Sequence, residues 1–417
     1  MSTASREMAF RLMQEIEEVN YASFTNEDRK LVLDAARALV GRLSSGWDTT
    51  WRKTVADPTE LATIRAFVLL NPLQAWEAAD WVPKTATELA KLCEQRVDVT
   101  LIGCLSASRL LFKVKDKYSP GPYCWVKDLA NDMLLRGCYI GFVDWTGDLF
   151  LNLPHFLRDS GFRDPVDGTA ANYQHLHRVD GSQIYLQLER QPSIREGVQD
   201  FMDANTKHTL KPWMTIFPLE AFVHDIQRGQ VLVVDIGGGK GQDLRLVAQE
   251  FPDLPENSLI LEDLPGVVNS KAGTSEHHSI RKIAYDYYEP QPVVGARFYY
   301  MKNVMHNLST DKAILVLRNQ AAAMTQSSRL LVYERFKSVQ NKPGTPEALD
   351  FNSIIPQDVF MMGMFSSQER DEQQYRNLLR DAGFQVVEVH GVKGVEGREC
   401  AYTSHDRIIE AVLAEHI

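Results

Sequence analysis

Apolar residues recur every three to four positions over Met8–Val19, Asp28–Leu43 and Leu61–Asp80, a spacing that puts them on one face of a helix. Thr85-Ala86-Thr87-Glu88 has the form of a capping box opening a short helix over Leu89–Glu94, and Val99–Phe112 supplies a second helix behind it. Two short helices followed by an extended stretch have the pattern of a winged-helix module. From Gln230 the period changes, and short apolar runs alternate with amphipathic segments, as in a parallel sheet covered by helices on both faces. Seven strands are predicted, at 231–235, 259–262, 281–285, 297–301, 329–334, 386–389 and 399–403, with helices at 243–250, 311–324 and 370–382 between them. Ser338–Glu347, with its Gly, Pro and Asn residues, reads as a surface loop. The expected organisation is an all-helical, winged-helix-like domain over 1–218 and a seven-stranded, doubly wound, Rossmann-like α/β domain over 219–417.

A chain of 417 residues exceeds what one hydrophobic core usually holds, which agrees with two domains. Its formal charge of -10 argues against nucleic acid or an anionic membrane as partner, because both need clustered cations. Lys113, Lys115 and Lys117, interrupted by Asp116, read as a solvated turn. The five cysteines lie far apart, without C-x-x-C or His at zinc-ligand spacing. No metal is therefore expected, and the setting is read as reduced and cytoplasmic. The N-terminus carries acids early, unlike a signal peptide, and no run of about 18 apolar residues points to a membrane.

The chemistry begins at Val231–Gln242, VLVVDIGGGKGQ, where a strand ends at Asp235 and is followed by Gly237, Gly238, Gly239 and Gly241 before a helix. Such a turn lets a ligand touch backbone while the helix N-terminus offers free N–H groups. A second strand ends at Glu262-Asp263, where a carboxylate can accept from two vicinal ribose hydroxyls. Gln242 stands where a dinucleotide fingerprint would have its third glycine. An S-adenosylmethionine (SAM) site is preferred for that reason.

With the segments LEDLPGVV, YDYYEPQPVVGARFYYMKNVMHNL, LLVYERF and SSQERDEQQYRNLLRDAGF, the chain resembles the plant-type and fungal O-methyltransferases that modify phenols and polyketides. The resemblance runs over nearly the whole chain and implies a homodimer built on the N-terminal helices. It implies that Asp235 and Gly237 to Gly241 surround the methionine part of SAM, and that Asp263, with Leu264 beside it, holds the ribose. Asp286 and Tyr287 would flank the adenine, and Lys302 would be a further cofactor contact; Asp286 reads equally as a loop-capping acid.

Methyl transfer needs positioning and a base for the acceptor's hydroxyl proton, a role that suits histidine. By resemblance His306 is that base, and Glu334 and Glu369 are the acids that orient it. Two departures stand out. Where the family reads His-Asp-Trp, this chain has Asn307 and Leu308 after His306, and Lys337 occupies a usually apolar place. Lys337 either reaches solvent or hydrogen-bonds a substrate carbonyl. The latter resembles a small group of O-methyltransferase-like fungal pericyclases that retain SAM and polarise a carbonyl with a His and a cation. His175 is a further candidate for the substrate, as are Trp213 and Met362 for the wall of its pocket. The competing functions are thus methylation of a small aromatic or polyketide-like hydroxyl compound, pericyclic catalysis with SAM bound, and DNA binding through the winged helix. The acidic charge disfavours the last.

Overall fold

The computed structural model describes residues 3–18, 23–93, 102–103, 105–106, 110–120, 125–178, 184–208, 212–269, 277–337, 354–391 and 405–414. Helices α1 (Thr3–Glu18), α2 (Asn26–Leu43) and α3 (Asp57–Leu70) follow the apolar spacing, but the run expected to reach Asp80 breaks at Asn71, which takes a left-handed conformation before Pro72. Pro72 has no N–H to continue the helical ladder, and a shorter helix, Leu73–Glu77, restarts beyond it. The capping box at Thr85 forms, with Thr85 and Glu88 each accepting the other's backbone N–H, and the helix runs Ala86–Ala90.

The N-terminal half is not all-helical. Strands β1 (Lys84–Thr85), β2 (Leu111–Val114) and β3 (Lys117–Pro120) form an antiparallel sheet in the order β1-β3-β2. Leu111 and Phe112, expected to end a helix, are strand residues because their chain doubles back through the Lys115-Asp116 turn and finds its partners there. The predicted helix over 99–112 falls partly outside the described residues, and the loop 338–347 lies outside them entirely.

The second half carries β4 (Val233–Ile236), β5 (Leu259–Asp263), β6 (Ile280–Ala284), β7 (Phe298–Lys302), β8 (Arg329–Arg335), β9 (Phe384–Gly391) and β10 (Asp406–Leu413) in one sheet of order β6-β5-β4-β7-β8-β10-β9. From β6 to β8 neighbours run parallel; β10 runs antiparallel to both β8 and β9. Six of the predicted strands are found. The seventh prediction, 399–403, lies outside the described residues, and the last strand is β10.

Alternate strand residues enter opposite cores, as a period of two requires. Val234, Ile260, Tyr299 and Val332 pack on one face with Leu317 and Leu378. Val233, Leu261, Tyr300 and Tyr333 pack on the other with Leu244 and Trp213. Before the sheet come α4 (Val143–Asp159) and α5 (Pro192–His208); α6 (Gln242–Glu250), α7 (Thr310–Ala323), α8 (Ile354–Phe365) and α9 (Glu372–Asp381) follow within it. Aromatic residues of α4, α5 and α8 interlock: Phe142, just ahead of α4, stacks on Phe201 at 3.7 Å between ring centres, and Trp145 meets Phe365 edge-on. Among the described residues no helix is long and apolar enough to cross a membrane.

Candidate active site

The order of strands reverses between β4 and β7, and a sheet of this kind opens a crevice at the carboxyl ends of the strands on either side of that point. The glycine-rich turn leaves β4 there. Gly237 and Gly238 donate to the Glu262 carbonyl at 2.8 and 3.2 Å, and Gly239 donates to Asp263 Oδ2 at 2.8 Å. Gly239 has a φ of +60°, in the region that favours glycine. At Gly238 the constraint is space, since a Cβ would sit 2.5 Å from the Asp235 carboxyl carbon and 2.6 Å from Leu261 Cδ1. The turn therefore keeps bare backbone along the crevice.

A cleft of roughly 1230 Å³, its open mouth included, follows this turn. Of the expected cofactor residues, Asp235, Gly237, Gly238, Gly239, Asp263, Leu264, Asp286, Tyr287 and Lys302 line it. Gly241 does not: it opens α6 at a φ of +78° and packs on Leu261. Asp263 accepts from Leu264 N–H as well as Gly239, and burial lifts its carboxyl to about 6 against those two bonds. Glu262, the other acid considered for a ribose, is fully buried and bonded to Gln291 instead. Asp286 accepts the Tyr288 N–H at 3.0 Å, as a loop-capping acid does, and also lines the cleft.

At the opposite end Lys302 Nζ reaches Asp243 Oδ2 at 2.6 Å, and the Tyr300 hydroxyl donates to the same oxygen at 2.7 Å. Burial, with Asp243 nearby, raises the Asp235 carboxyl well above its usual range. Motif reading missed Asp243; its only signal was a carboxylate in the first turn of the helix after the glycines. The set fits a nucleoside with an amino-acid tail. Bare glycine backbone leaves room at the tail, carboxylates stand ready for hydroxyl and ammonium donors, and Tyr287 and Tyr288, 4.9 Å apart, offer ring surface for a base.

His306 follows β7 in a short turn, Met305–Asn307. Its Nδ1 lies 2.9 Å from Glu369 Oε1 and 3.6 Å from Glu334 Oε2. Glu334 is held in turn, Oε1 accepting the backbone N–H groups of Val304, Met305 and His306 at 3.1, 2.8 and 3.3 Å. The three predicted residues thus form one buried cluster. Burial disfavours the imidazolium, but Glu334 and Glu369 outweigh it and raise His306 to about 9. Burial pushes Glu334 up to about 7, with His306 acting the other way. His306 is not itself on the wall of the cofactor cleft, although Val304 and Asn307 on either side of it are. The same three side chains have the spacing of a metal site, and none was expected.

The four substrate candidates part company. Trp213 is not a pocket residue: it is fully buried and stacks on Tyr300 at 4.6 Å beneath the sheet. His175 stands away from the cleft, its ring nitrogens 3.1 Å from Asn152 Nδ2 and 3.2 Å from Asp159 Oδ2, both on α4. That bonding spends both polar atoms of the ring. Lys337 and Met362 do come together, in a second cleft with Asp358 and Arg370, where Lys337 Nζ is 2.6 Å from Asp358 Oδ2. A small pocket containing Asn307, Leu308 and Ser309 lies between, sharing Asn307 with the first cleft and Ser309 with the second.

Comparison with known proteins gives the family. O-methyltransferase mfmE of Annulohypoxylon moriforme is 28% identical over 384 residues, covering 91% of each chain. The demethylsterigmatocystin 6-O-methyltransferase of Aspergillus flavus is 24% identical over 371 residues, 88% of this chain and 91% of that one. Among solved structures, one described as a pericyclic reaction enzyme superposes with a TM-score of 0.78 at 23% identity, over 98% of this chain and all of the other. OxaC in complex with SAH and oxaline gives 0.65 at 21% identity, covering 93% and 98%. Residues 163–385, more than half of the molecule, match the O-methyltransferase domain, and the chain belongs to that SAM-dependent family.

Proposed function

We propose that the chain methylates a hydroxyl of a small aromatic or polyketide-like compound, with His306 as the base. The observation that carries this is the buried His306–Glu369 pair, 2.9 Å long, set between two residues of the cofactor cleft wall. SAM supplies a sulfonium whose methyl carbon is open to in-line displacement. The residues of this chain do the rest. Asp263 and the glycine turn hold the cofactor. His306, with Nδ1 turned to the glutamates, has Nε2 left to take the acceptor's proton, and Glu369 and Glu334 stabilise the imidazolium that results. A fungal relative named as a demethylsterigmatocystin 6-O-methyltransferase supports a small-molecule hydroxyl as acceptor. Incubation with SAM and phenolic acceptors should release S-adenosylhomocysteine in step with methylated product; isomerised substrate without it would reject methyl transfer.

One observation favours a second reading, pericyclic catalysis with SAM bound and unspent. At neutral pH a histidine raised to about 9 is already cationic, suited to donating to a carbonyl. Lys337 supplies another cation at the neighbouring cleft. The pH profile separates the two. Base catalysis needs the neutral ring, so kcat/KM rises about tenfold per unit towards pH 9 and then levels. Donor catalysis needs the cation, so the rate is level below about 9 and falls above it.

A homodimer is part of the proposal. Met8, Phe10, Leu31, Leu33, Leu43 and Trp47 are exposed on the N-terminal helices, which supports a contact between subunits there. Light scattering should give twice the chain mass, and a monomer at micromolar concentration would count against it.

A further inference from the structure

Helix α5 presents three faces, each with a different task. Val198, Gln199, Met202 and Thr206 line the cofactor cleft. The back of the helix is fixed to residues 138–142, where Gly197 meets Gly141 so closely that a Cβ on either would lie 2.2 or 2.3 Å from the other's Cα. The third face carries Asp200 and Asp203 towards the glycine turn. There the Lys240 side chain, only 5% exposed, places Nζ 2.8 Å from Asp200 Oδ1 and 3.8 Å from Asp203 Oδ2. Gln242 donates to Asp203 Oδ1, and Arg245 Nη1 donates to the Lys240 carbonyl at 2.7 Å. An ammonium this deeply buried is tolerable only when paired, so the turn and the helix are bound to keep this register.

Lys240, Asp200 and Asp203 are not on the cleft wall. What they hold in place is their neighbour Gln199. Its Oε1 is buried without a hydrogen-bond partner and lies 3.2 Å from the point where a Cβ on Gly239 would be. A buried acceptor left unpaired is costly, and a donor seated against the turn would satisfy it. The ammonium at the amino-acid end of SAM is such a donor.

We infer that Gln199 is a cofactor contact contributed by α5, its amide oxygen accepting from the ammonium of the SAM tail, and that Lys240 is a positioning residue that sets Gln199 by latching the turn to the helix. This rests on reading the turn as the SAM site. The test is calorimetry on the full chain with SAM and with 5′-methylthioadenosine, which keeps the nucleoside and the methylated sulfur, now an uncharged thioether, but lacks the amino-acid tail. Gln199→Leu should weaken SAM by about ten- to a hundredfold, the range for a hydrogen bond to a charged group, and leave methylthioadenosine unchanged. Lys240→Met should do the same and Lys240→Arg should not. Asp200→Asn, at a partner 30% exposed, repeats the experiment with less risk to folding, and thermal melting verifies each variant. Wild type that binds no SAM would end the site reading itself. Wild type that binds it, with Gln199→Leu binding within twofold or losing both ligands equally, would overturn the inference alone.

Discussion

Replacing His306 with alanine is expected to lower kcat by about 10²–10⁴-fold, the usual contribution of a positioned acid or base, while SAM affinity stays within a few-fold of wild type. The split follows from placement. His306 stands behind the cofactor wall rather than on it, so its loss removes proton transfer or donation without removing a cofactor contact. Glu369→Gln is the sharper probe. It retains the 2.9 Å hydrogen bond in shape but withdraws one of the two charges that raise the ring. The break in the pH profile should then move down from about 9. Quenched-flow or steady-state assays across pH 6–10 read both effects, and an unchanged profile in Glu369→Gln would show that the glutamate does not govern the histidine.

Gly238→Val should weaken SAM binding by up to about a hundredfold, as much as the strongest single contact variant. Its Cβ would meet the Asp235 carboxyl carbon at 2.5 Å and Leu261 at 2.6 Å, so the turn must move away from the sheet or not form. Overpacking of this order typically costs 1–3 kcal/mol, which at a binding site is up to about a hundredfold in Kd. Calorimetry with SAM measures it, with far-UV circular dichroism confirming the fold. Near-native affinity would show that the ligand does not use the backbone at this turn.

The glycine turn, its flanking strands and the acid at 263 were legible because their signals are local. A strand, a turn needing positive φ and a helix follow one another in a dozen residues. Glu334 and Glu369 lie 28 and 63 residues beyond His306, and only motif resemblance joined the three before the fold did. Trp213 went wrong for a physical reason. An aromatic residue before a sheet packs equally well under it or into a pocket, and no periodicity says which. His175 had polar partners on a helix 16 and 23 residues earlier, which spacing along its own helix does not show. The latch was missed too, although a lysine enclosed by glycines in a tight turn was a hint that a counter-ion would have to arrive from elsewhere. The small sheet in the N-terminal half lies largely in the stretch expected to be extended after the second helix; what the spacing did not show was that Leu111 and Phe112 belong to it.

The contact between Gly141 and Gly197 bears on how the cofactor cleft can change its ligand. Two backbones that touch without side chains between them leave no gap to absorb an added methyl group, so α5 has no freedom to slide outward and enlarge the cavity beside it. New ligands must then be accommodated by exchanging what the helix projects, at 198, 202 and 206, on a rail whose position is fixed. Libraries confined to those three sites should yield altered preference among SAM analogues with intact expression, whereas substitutions at 141 or 197 should mostly yield unfolded protein.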